Sequence, residues 1–202
     1  MSTTAANLIS IIGPPAAGKT TLAEALAREL QAELIREDYA GNPFLAGSCL
    51  GQGELALPSQ LYFLFSRAGQ LNRDNWPACG PAVSDYGFCQ DALYARHCLA
   101  GEELATYHRL AARVEPLIQP PDLVVHLDVP ERALLERIAR RGRRFEAGMT
   151  VDFLRRMRQE YEKMVPALDC PFMTIDAGRD LRGGEALAEV VQEVKRRLDR
   201  PA

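Results

Sequence analysis

An octapeptide near the N-terminus, Gly-Pro-Pro-Ala-Ala-Gly-Lys-Thr at residues 13–20, constrains the fold of this chain more than any other feature. It fills every specified position of the pattern G-x-x-x-x-G-K-[ST]. The apolar run Leu8–Ile12, expected to be a buried strand, comes just before it, and a segment of helical period follows from Thr20. A strand, a glycine loop and a helix in this order form a cradle for phosphates. The sequence therefore predicts an α/β fold of the P-loop NTPase type.

Each part of the octapeptide suits a group on a nucleoside triphosphate. Glycines let backbone N–H groups turn toward phosphates, Lys19 neutralises the terminal phosphates, and the Thr20 hydroxyl is suited to ligate Mg²⁺. A glycine-rich turn that only joins strand to helix would leave these two side chains unexplained. We therefore expect ATP and Mg²⁺ as cofactors. The residues expected to contact ATP here are Gly13, Ala16, Ala17, Gly18, Lys19, Thr20 and Thr21.

Short apolar or β-branched runs alternate along the chain with longer segments of helical period, which is typical of a parallel sheet covered by crossover helices. The predicted strands are 8–12, 33–36, 82–84, 123–127 and 172–175. The predicted helices are 20–30, 57–70, 102–114, 131–140, 151–164 and 184–198. Glycine and proline mark residues 41–53 and 73–81 as loops. The prediction is one three-layer domain over residues 1–202, with a five-stranded parallel sheet between helices.

Charge and cysteine content disfavour several kinds of partner. The chain has 24 Lys and Arg residues against 27 Asp and Glu residues, a formal net charge of -3, so it has no overall attraction to nucleic acid or anionic lipid. Its five cysteines include no C-x-x-C pair, which argues against a zinc site and a disulfide framework. No apolar run reaches the length of a membrane span or a signal core. We expect a cytoplasmic protein that binds a small molecule.

Arginines are dense in one short segment after the predicted helix 131–140. They surround Gly142, a flexible point, and comprise Arg137, Arg140, Arg141, Arg143 and Arg144. Guanidinium groups brought in by a closing loop stabilise the charge of a phosphoryl group in transfer and exclude water. A solvated helix end with cations that complement the helix dipole is the alternative. The segment is interpreted as an arginine-rich lid.

A carboxylate pair and a polar helix face suggest where an acceptor would bind. Glu37-Asp38 follows the second predicted strand at the edge of the sheet where open α/β folds bind ligands, a place for a general base, although a surface acidic turn would read the same. Gln60 and Arg67 share a helix face beside aromatic residues that include Phe63. That face predicts a grip on a nucleobase, with a core-facing helix that turns polar residues outward as the alternative.

Together these pieces resemble the deoxynucleoside kinase family, and particularly the bacterial deoxyadenosine/deoxyguanosine kinases. The resemblance covers almost the whole chain. Beyond the P-loop it includes Glu37 followed by Asn-Pro-Phe-Leu at 42–45, the run Pro-Ser-Gln-Leu-Tyr-Phe-Leu-Phe-Ser-Arg at 58–67, and the lid at 137–148. It implies transfer of the γ-phosphoryl group of ATP to the 5′-hydroxyl of a deoxynucleoside, with a purine as the expected base and a homodimer as the expected assembly.

The resemblance also implies residue roles. Glu37 would take the proton of the attacking 5′-hydroxyl, Gln60 and Arg67 would hold the base, and Glu146 would contact the 3′-hydroxyl of the sugar. Three lid arginines, Arg137, Arg141 and Arg143, would contact the ATP phosphates, with Arg141 counted among the catalytic residues. The loop Asp176-Ala177-Gly178 falls where the family seats adenine.

Two positions depart from the family pattern. Where many members carry an acidic residue followed by Arg and Ser, this chain reads Ser84-Asp85-Tyr86. Asp85 is expected to hold Mg²⁺ together with Thr20 or to share the role of base with Glu37. Cys49 stands where the family usually has a tyrosine that reaches the sugar. A nucleoside monophosphate kinase and a nucleotide-binding module without turnover stay open as alternatives.

Overall fold

The computed structural model describes residues 7–76 and 80–199. Its sheet has five parallel strands in the order β2-β3-β1-β4-β5. The strands are β1 (Leu8–Ile12), β2 (Glu33–Ile35), β3 (Ala82–Ser84), β4 (Leu123–Asp128) and β5 (Phe172–Asp176). β1 is central, with β2 and β3 on one side of it and β4 and β5 on the other. The direction in which the chain adds strands to the sheet therefore reverses beside β1. Ligand crevices of open parallel sheets form at such a reversal, beyond the carboxyl ends of the strands.

Helices cover both faces of the sheet. They are α1 (Lys19–Leu30), α2 (Leu45–Cys49), α3 (Ala56–Gln70), α4 (Asp91–Cys98), α5 (Gly101–Val114), α6 (Glu131–Arg141), α7 (Val151–Met164) and α8 (Gly184–Leu198). All of β1 is buried. Ile9 and Ile11 pack in one cluster with Leu22 of α1, whereas Ile12 packs in another with Met157 of α7. The predicted α/β class and the three-layer, five-stranded parallel architecture are therefore confirmed.

Two short helices were not predicted. α2 lies inside the predicted loop 41–53 and buries none of its residues, so it has no apolar periodicity to detect. Its start is held instead by the buried Asn42, whose side-chain amide donates to the Ser59 carbonyl at 3.1 Å and accepts from the Phe44 N–H at 3.0 Å. α4 has eight residues and likewise only a weak apolar stripe.

Other boundaries moved by one residue or fall outside the description. β2 ends at Ile35 rather than Arg36, because its partner strand β3 ends at Ser84, which pairs with Ile35. In the predicted loop 73–81, residues 77–79, and Cys79 with them, lie outside the described residues. Across residues 7–76 and 80–199, none of the helices is both long enough and apolar enough to cross a bilayer.

Candidate active site

The loop after β1 has the backbone conformation that its glycines predict. Three of its residues have positive φ: Gly13 at 149°, Ala16 at 62° and Gly18 at 103°. Gly13 also passes close to β4, since a Cβ placed on it would lie 2.9 Å from the Leu127 carbonyl oxygen. A side chain at Gly13 would be strained by both its φ and its contact. The loop is therefore held against the carboxyl ends of the central strands.

The start of α1 is available to an anion. Gly18 is the N-cap residue of α1, and within the described structure no side chain accepts a hydrogen bond from the first N–H groups of the helix as a cap. The first turn of α1 also contains no acidic residue, so the helix dipole is not compensated there. The Lys19 ammonium donates to the carbonyls of Gly13 at 2.8 Å and Pro14 at 3.0 Å. Burial lowers the pKa of Lys19, and the nearby Glu37 and Asp85 carboxylates oppose that shift.

Asp85 joins the phosphate loop to the segment that carries Glu37. One carboxylate oxygen accepts from the Thr20 hydroxyl at 2.6 Å and the other from the Glu37 backbone N–H at 2.7 Å. Asp85 is buried at the end of β3, between these two partners. The Thr20 and Asp85 oxygens are the hard donors that Mg²⁺ prefers, and Mg²⁺ keeps much of its coordination for phosphate and water. These two oxygens therefore fit the ion. The described residues contain no group of three or more His, Cys, Asp or Glu side chains that could hold a metal ion.

The structure separates the two carboxylates of Glu37-Asp38. Asp38 accepts from the Tyr62 hydroxyl at 2.5 Å and from the Gly41 N–H at 2.8 Å, and the Tyr62 hydrogen bond lowers the pKa of Asp38. Glu37 instead lines the large cavity beside the phosphate loop. Only Glu37 of the pair is therefore placed to act on a bound molecule.

Arg67 contacts carboxylates directly, which the sequence did not predict. Its guanidinium is buried and pairs through its two terminal nitrogens with Glu37 and with Asp91, the first residue of α4. It also lies over the rings of Phe63, at 4.9 Å, and Tyr86, at 5.3 Å. Burial lowers the pKa of Arg67, but the charges of Asp91 and Glu37 raise it by more, so the net shift is upward and the guanidinium stays charged.

A cavity of about 1030 Å³ brings nearly all the predicted residues together. It extends from the phosphate loop to α3 and the lid. The predicted residues that line it are Ala16, Ala17, Gly18, Lys19, Thr20, Thr21, Glu37, Gln60, Phe63, Arg67, Asp85, Arg137, Arg141, Arg143, Glu146 and Gly178. Gly13 and Asp176 do not line it. Gly13 shapes the loop through its backbone, and Asp176 accepts from the Gly178 N–H at 2.9 Å, which fixes the turn after β5.

Two arginines of the predicted lid contact protein groups: Arg141, the last residue of α6, and Arg143, just after it. Arg141 pairs with the buried Glu146 through Nε at 3.0 Å and a terminal nitrogen at 2.5 Å, and Arg143 lies 3.6 Å from the same carboxylate. The Arg143 guanidinium also stacks 3.9 Å from the centre of the Tyr39 ring, which joins the lid to the segment after Glu37. These contacts hold the segment around Gly142 against the segment that follows Glu37.

Arg137 connects the phosphate loop to the loop after β5. Its guanidinium donates to the Ala17 carbonyl at 3.1 Å, to the Ala177 carbonyl at 2.7 Å and to the Gly178 carbonyl at 3.4 Å. The phosphate loop and the loop after β5 are thus held at a fixed separation. The phosphate loop and the turn at Gly178 therefore line the same part of the cavity. A phosphate-binding loop beside a second backbone turn is an arrangement that suits a nucleotide.

A family model for deoxynucleoside kinase matches residues 9–199. The chain belongs to the deoxynucleoside kinase family. It is 28% identical over 166 residues to the deoxyguanosine kinase of Bacillus subtilis (strain 168), a match that covers 81% of this chain and 80% of that protein. It is 30% identical over 162 residues to the deoxyadenosine kinase of Dictyostelium discoideum, covering 78% and 66%. Membership makes the chain a phosphotransferase.

A solved structure agrees on the fold. The deoxyadenosine kinase from M. mycoides with the products dCMP and a flexible dCDP bound superposes with a TM-score of 0.80 at 21% identity, covering 94% of this chain and 98% of that one. The same enzyme with bound dATP gives a TM-score of 0.77. The P-loop fold class predicted from the octapeptide is thereby confirmed a second time.

Several residues of this kinase that line or support the cavity were missed by the sequence interpretation. Gln90 and Tyr94 line it between α3 and α7. The Tyr161 hydroxyl of α7 lies 3.0 Å from the Gly13 carbonyl oxygen and 3.1 Å from Gln90 Oε1, so it connects α7 to the phosphate loop. No local pattern marks these residues, because each contact joins segments more than 60 residues apart.

His126 is a core residue. It is buried in β4, where its ring stacks on the Tyr161 ring with centroids 5.4 Å apart, and burial lowers its pKa.

Proposed function

We propose that this chain transfers the γ-phosphoryl group of ATP, with Mg²⁺, to the 5′-hydroxyl of a purine deoxynucleoside. One observation carries the proposal. Asp85 accepts hydrogen bonds from Thr20 of the phosphate loop and from the Glu37 backbone, so a carboxylate that lines the cavity is tied directly to the phosphate cradle. A γ-phosphoryl group and an acceptor hydroxyl bound in this cavity would meet beside Glu37.

The proposed roles follow from what each side chain contacts. Within the described chain, Oε2 of Glu37 accepts no hydrogen bond, whereas both oxygens of Asp85 are already used. Glu37 is therefore the group that takes the proton of the attacking hydroxyl. Lys19 holds phosphate oxygens at the loop. When bound at Thr20 and Asp85, Mg²⁺ supplies charge neutralisation for those oxygens.

The lid is proposed to complete the nucleotide site. Arg141 and Arg143 line the same cavity as Lys19, and the charge of Arg141 is close enough to act on the pKa of Lys19. Guanidinium groups in such a place stabilise the equatorial oxygens of the transferring group. Arg137 acts beneath them by fixing the phosphate loop against the turn at Gly178, which is proposed to seat the adenine of ATP.

The acceptor end of the cavity suits a purine deoxynucleoside. Gln60 offers an amide that both donates and accepts, Phe63 offers an aromatic face, and the buried Glu146 is proposed to bind the sugar 3′-hydroxyl. A purine base agrees with the names of the deoxyguanosine and deoxyadenosine kinases that the chain resembles. Cys49 lines the same end as a protonated thiol, since burial raises its pKa.

An acceptor panel tests the proposal. The protein is incubated with ATP and Mg²⁺ and each deoxynucleoside, ribonucleoside or deoxynucleoside monophosphate in turn, and products are separated by chromatography. We expect 5′-monophosphates, fastest from deoxyadenosine or deoxyguanosine. Products from monophosphate acceptors alone would replace the proposal with a monophosphate kinase. Tight ATP binding with no product from any acceptor would replace it with a non-catalytic nucleotide-binding module.

A homodimer in the cytoplasm is proposed as the working form, with the whole of residues 1–202 as one domain. Support for the assembly comes from two exposed apolar side chains near the packed pair of helices α3 and α5. They are Phe65 of α3, 54% exposed, and Leu117 just after α5, 61% exposed, and a second copy could cover them. Support for the compartment comes from the described cysteines, which are all free thiols. Light scattering at assay concentration tests the assembly, and a monomer mass would refute it.

A further inference from the structure

Two consecutive prolines change how the phosphate loop is held. Pro14 and Pro15 have no backbone N–H, so the peptide groups that follow Gly13 and Pro14 can be held by hydrogen bonds only at their carbonyl oxygens. Gly13 and Pro14 are both buried, and a buried carbonyl without a donor is destabilising. The donors that reach these two carbonyls therefore help to fix the first half of the loop.

Each of the two carbonyls has one donor that it shares and one of its own. The Lys19 ammonium is the shared donor, at 2.8 Å from the Gly13 oxygen and 3.0 Å from the Pro14 oxygen. The Pro14 oxygen also accepts from the Ala17 N–H at 3.2 Å. The Gly13 oxygen lies 3.0 Å from the Tyr161 hydroxyl, which comes from α7, 148 residues further along the chain. Tyr161 thus stands to Gly13 as the Ala17 N–H stands to Pro14.

The Tyr161 side chain is fixed with its hydroxyl beside the loop. It is fully buried, and its ring stacks on the His126 ring. The hydroxyl also lies 3.1 Å from Gln90 Oε1. A phenol has one proton, so at any moment it donates either to the Gly13 carbonyl or to Gln90. Rotation of the hydroxyl alone is enough to direct that proton to Gly13.

A bound triphosphate changes the number of protons that Lys19 can offer to the loop. An ammonium has three N–H protons, and the carbonyls of Gly13 and Pro14 use two of them. If oxygens of the β- and γ-phosphates take two protons, one is left for the two carbonyls. Pro14 then still has the Ala17 N–H, whereas Gly13 depends on the Tyr161 hydroxyl.

We propose that Tyr161 is a positioning residue for Lys19, because its hydroxyl keeps the Gly13 carbonyl paired when the ammonium turns from the loop to the phosphates of ATP. The inference rests on the proposed function, since it requires that the loop bind ATP. Tyr161 is not among the described residues that line the cavity, so it acts on ATP only through Gly13 and Lys19. The effect should appear in the affinity for ATP, whereas a merely structural role would appear in stability alone.

Calorimetry of MgATP binding tests the proposal with two variants that each affect one hydrogen bond of the same hydroxyl. Tyr161→Phe removes the donor to Gly13, and it is expected to raise the Kd for ATP by about 5- to 30-fold, the factor for one buried carbonyl left unpaired. Gln90→Met removes the competing acceptor and leaves the proton to Gly13, so the Kd for ATP is not expected to rise. An unchanged Kd in Tyr161→Phe, or equal increases in both variants, would overturn the proposal.

Two further measurements separate the role of Tyr161 from the stability of α7. Arg158, also on α7, donates to Asp128 at 2.6 and 2.9 Å and is not among the described residues that line the cavity. Arg158→Gln is the matched control, which should lower Tm but leave the Kd for ATP unchanged. In a Lys19→Met background, Tyr161→Phe should no longer change ATP affinity, because no ammonium moves between carbonyl and phosphate. Increases of the same size in the control or in this background would contradict the proposal.

The outcome is distinguishable from failure of the proposed function. If the wild-type chain binds no MgATP, the proposed function fails before any variant is measured. If the wild type binds ATP and phosphorylates a deoxynucleoside, but Tyr161→Phe binds ATP as tightly as the wild type, the kinase activity stands and the Tyr161 hydroxyl contributes to stability alone.

Discussion

The assignment of Glu37 rather than Asp85 as the general base can be tested by comparing two amide substitutions. Glu37→Gln keeps the size of the side chain and an oxygen that accepts from Arg67, but removes the proton acceptor. General base catalysis contributes about 10²- to 10⁴-fold in rate, or about 3–5 kcal/mol of barrier. We expect kcat to fall about 1000-fold, with the KM for ATP within about 2-fold of the wild-type value, because within the described residues the Glu37 side chain is hydrogen-bonded to Arg67 and not to the phosphate loop.

Asp85→Asn is expected to behave differently. Both Asp85 oxygens accept, from the Thr20 hydroxyl at 2.6 Å and the Glu37 N–H at 2.7 Å. The amide nitrogen of Asn would face one of these donors, so one buried bond is lost at a cost of about 1–3 kcal/mol. The result should be lower thermal stability, a higher Mg²⁺ requirement and a higher KM for ATP.

Steady-state rates at several ATP and Mg²⁺ concentrations, with product measured by chromatography, separate the two effects. Each variant is first checked for folding by circular dichroism. The reasoning would be refuted if Glu37→Gln kept a kcat within about 10-fold of the wild type while Asp85→Asn lost about 1000-fold at saturating ATP and Mg²⁺. The base would then be Asp85, and its two hydrogen bonds would have to open during turnover.

Three further substitutions test the scaffold of the site. The Arg158 hydrogen bonds at 2.6 and 2.9 Å lower the pKa of Asp128, so their stabilisation is present above the unfolded pKa and lost as pH falls through the folded one. Asp128→Asn should therefore reduce the free energy of unfolding by about 1 kcal/mol at neutral pH, as measured by urea denaturation, and by progressively less as the pH falls through the lowered pKa of the folded Asp128. A difference that stays constant with pH would contradict this. Gly13→Ala should lower the free energy of unfolding by about 1–3 kcal/mol and weaken ATP binding measured by calorimetry, because its Cβ would meet the Leu127 carbonyl. An unchanged ATP affinity would count against the loop geometry. Tyr161→Phe removes a buried hydroxyl that donates to the Gly13 carbonyl, which should lower the free energy of unfolding by about 1 kcal/mol and the Tm by about 2–4 °C. An unchanged Tm would argue that the hydrogen bond is not formed.

The fold followed from the sequence because its signals are local. The octapeptide, the apolar run before it and the alternation of short and long segments each lie within one window of the chain. Five strands and the six longer helices were placed to within one or two residues. The short helix α2 was missed because it buries no residue and so carries no apolar period. α4 was missed because its eight residues show only a weak one.

The partners of the site residues could not be predicted in the same way. Glu37 and Arg67 are 30 residues apart, and Arg67 and Asp91 are 24 apart. In sequence, Arg67 reads as one polar position of a helix face, and Asp91 carries no signal because α4 itself was not predicted. The packing of α3 against α4 brings Arg67 to Asp91, and the segment after β2 brings Glu37 to Arg67. A sequence pattern identifies the residue types of such a site, whereas their pairing depends on tertiary contacts.

Two of the arginines that line the cavity are already paired with a carboxylate, and this affects how strongly a nucleotide can bind. Arg141 and Arg143 share the Glu146 carboxylate. A phosphate that draws these guanidinium groups gains only the difference between its own attraction and that of Glu146, so the binding energy is smaller than the contacts alone would suggest. The same exchange would release Glu146 toward a sugar hydroxyl. Under the proposed roles of the lid arginines and Glu146, a single movement would serve both ligands, so we expect ATP and the acceptor each to raise the affinity for the other.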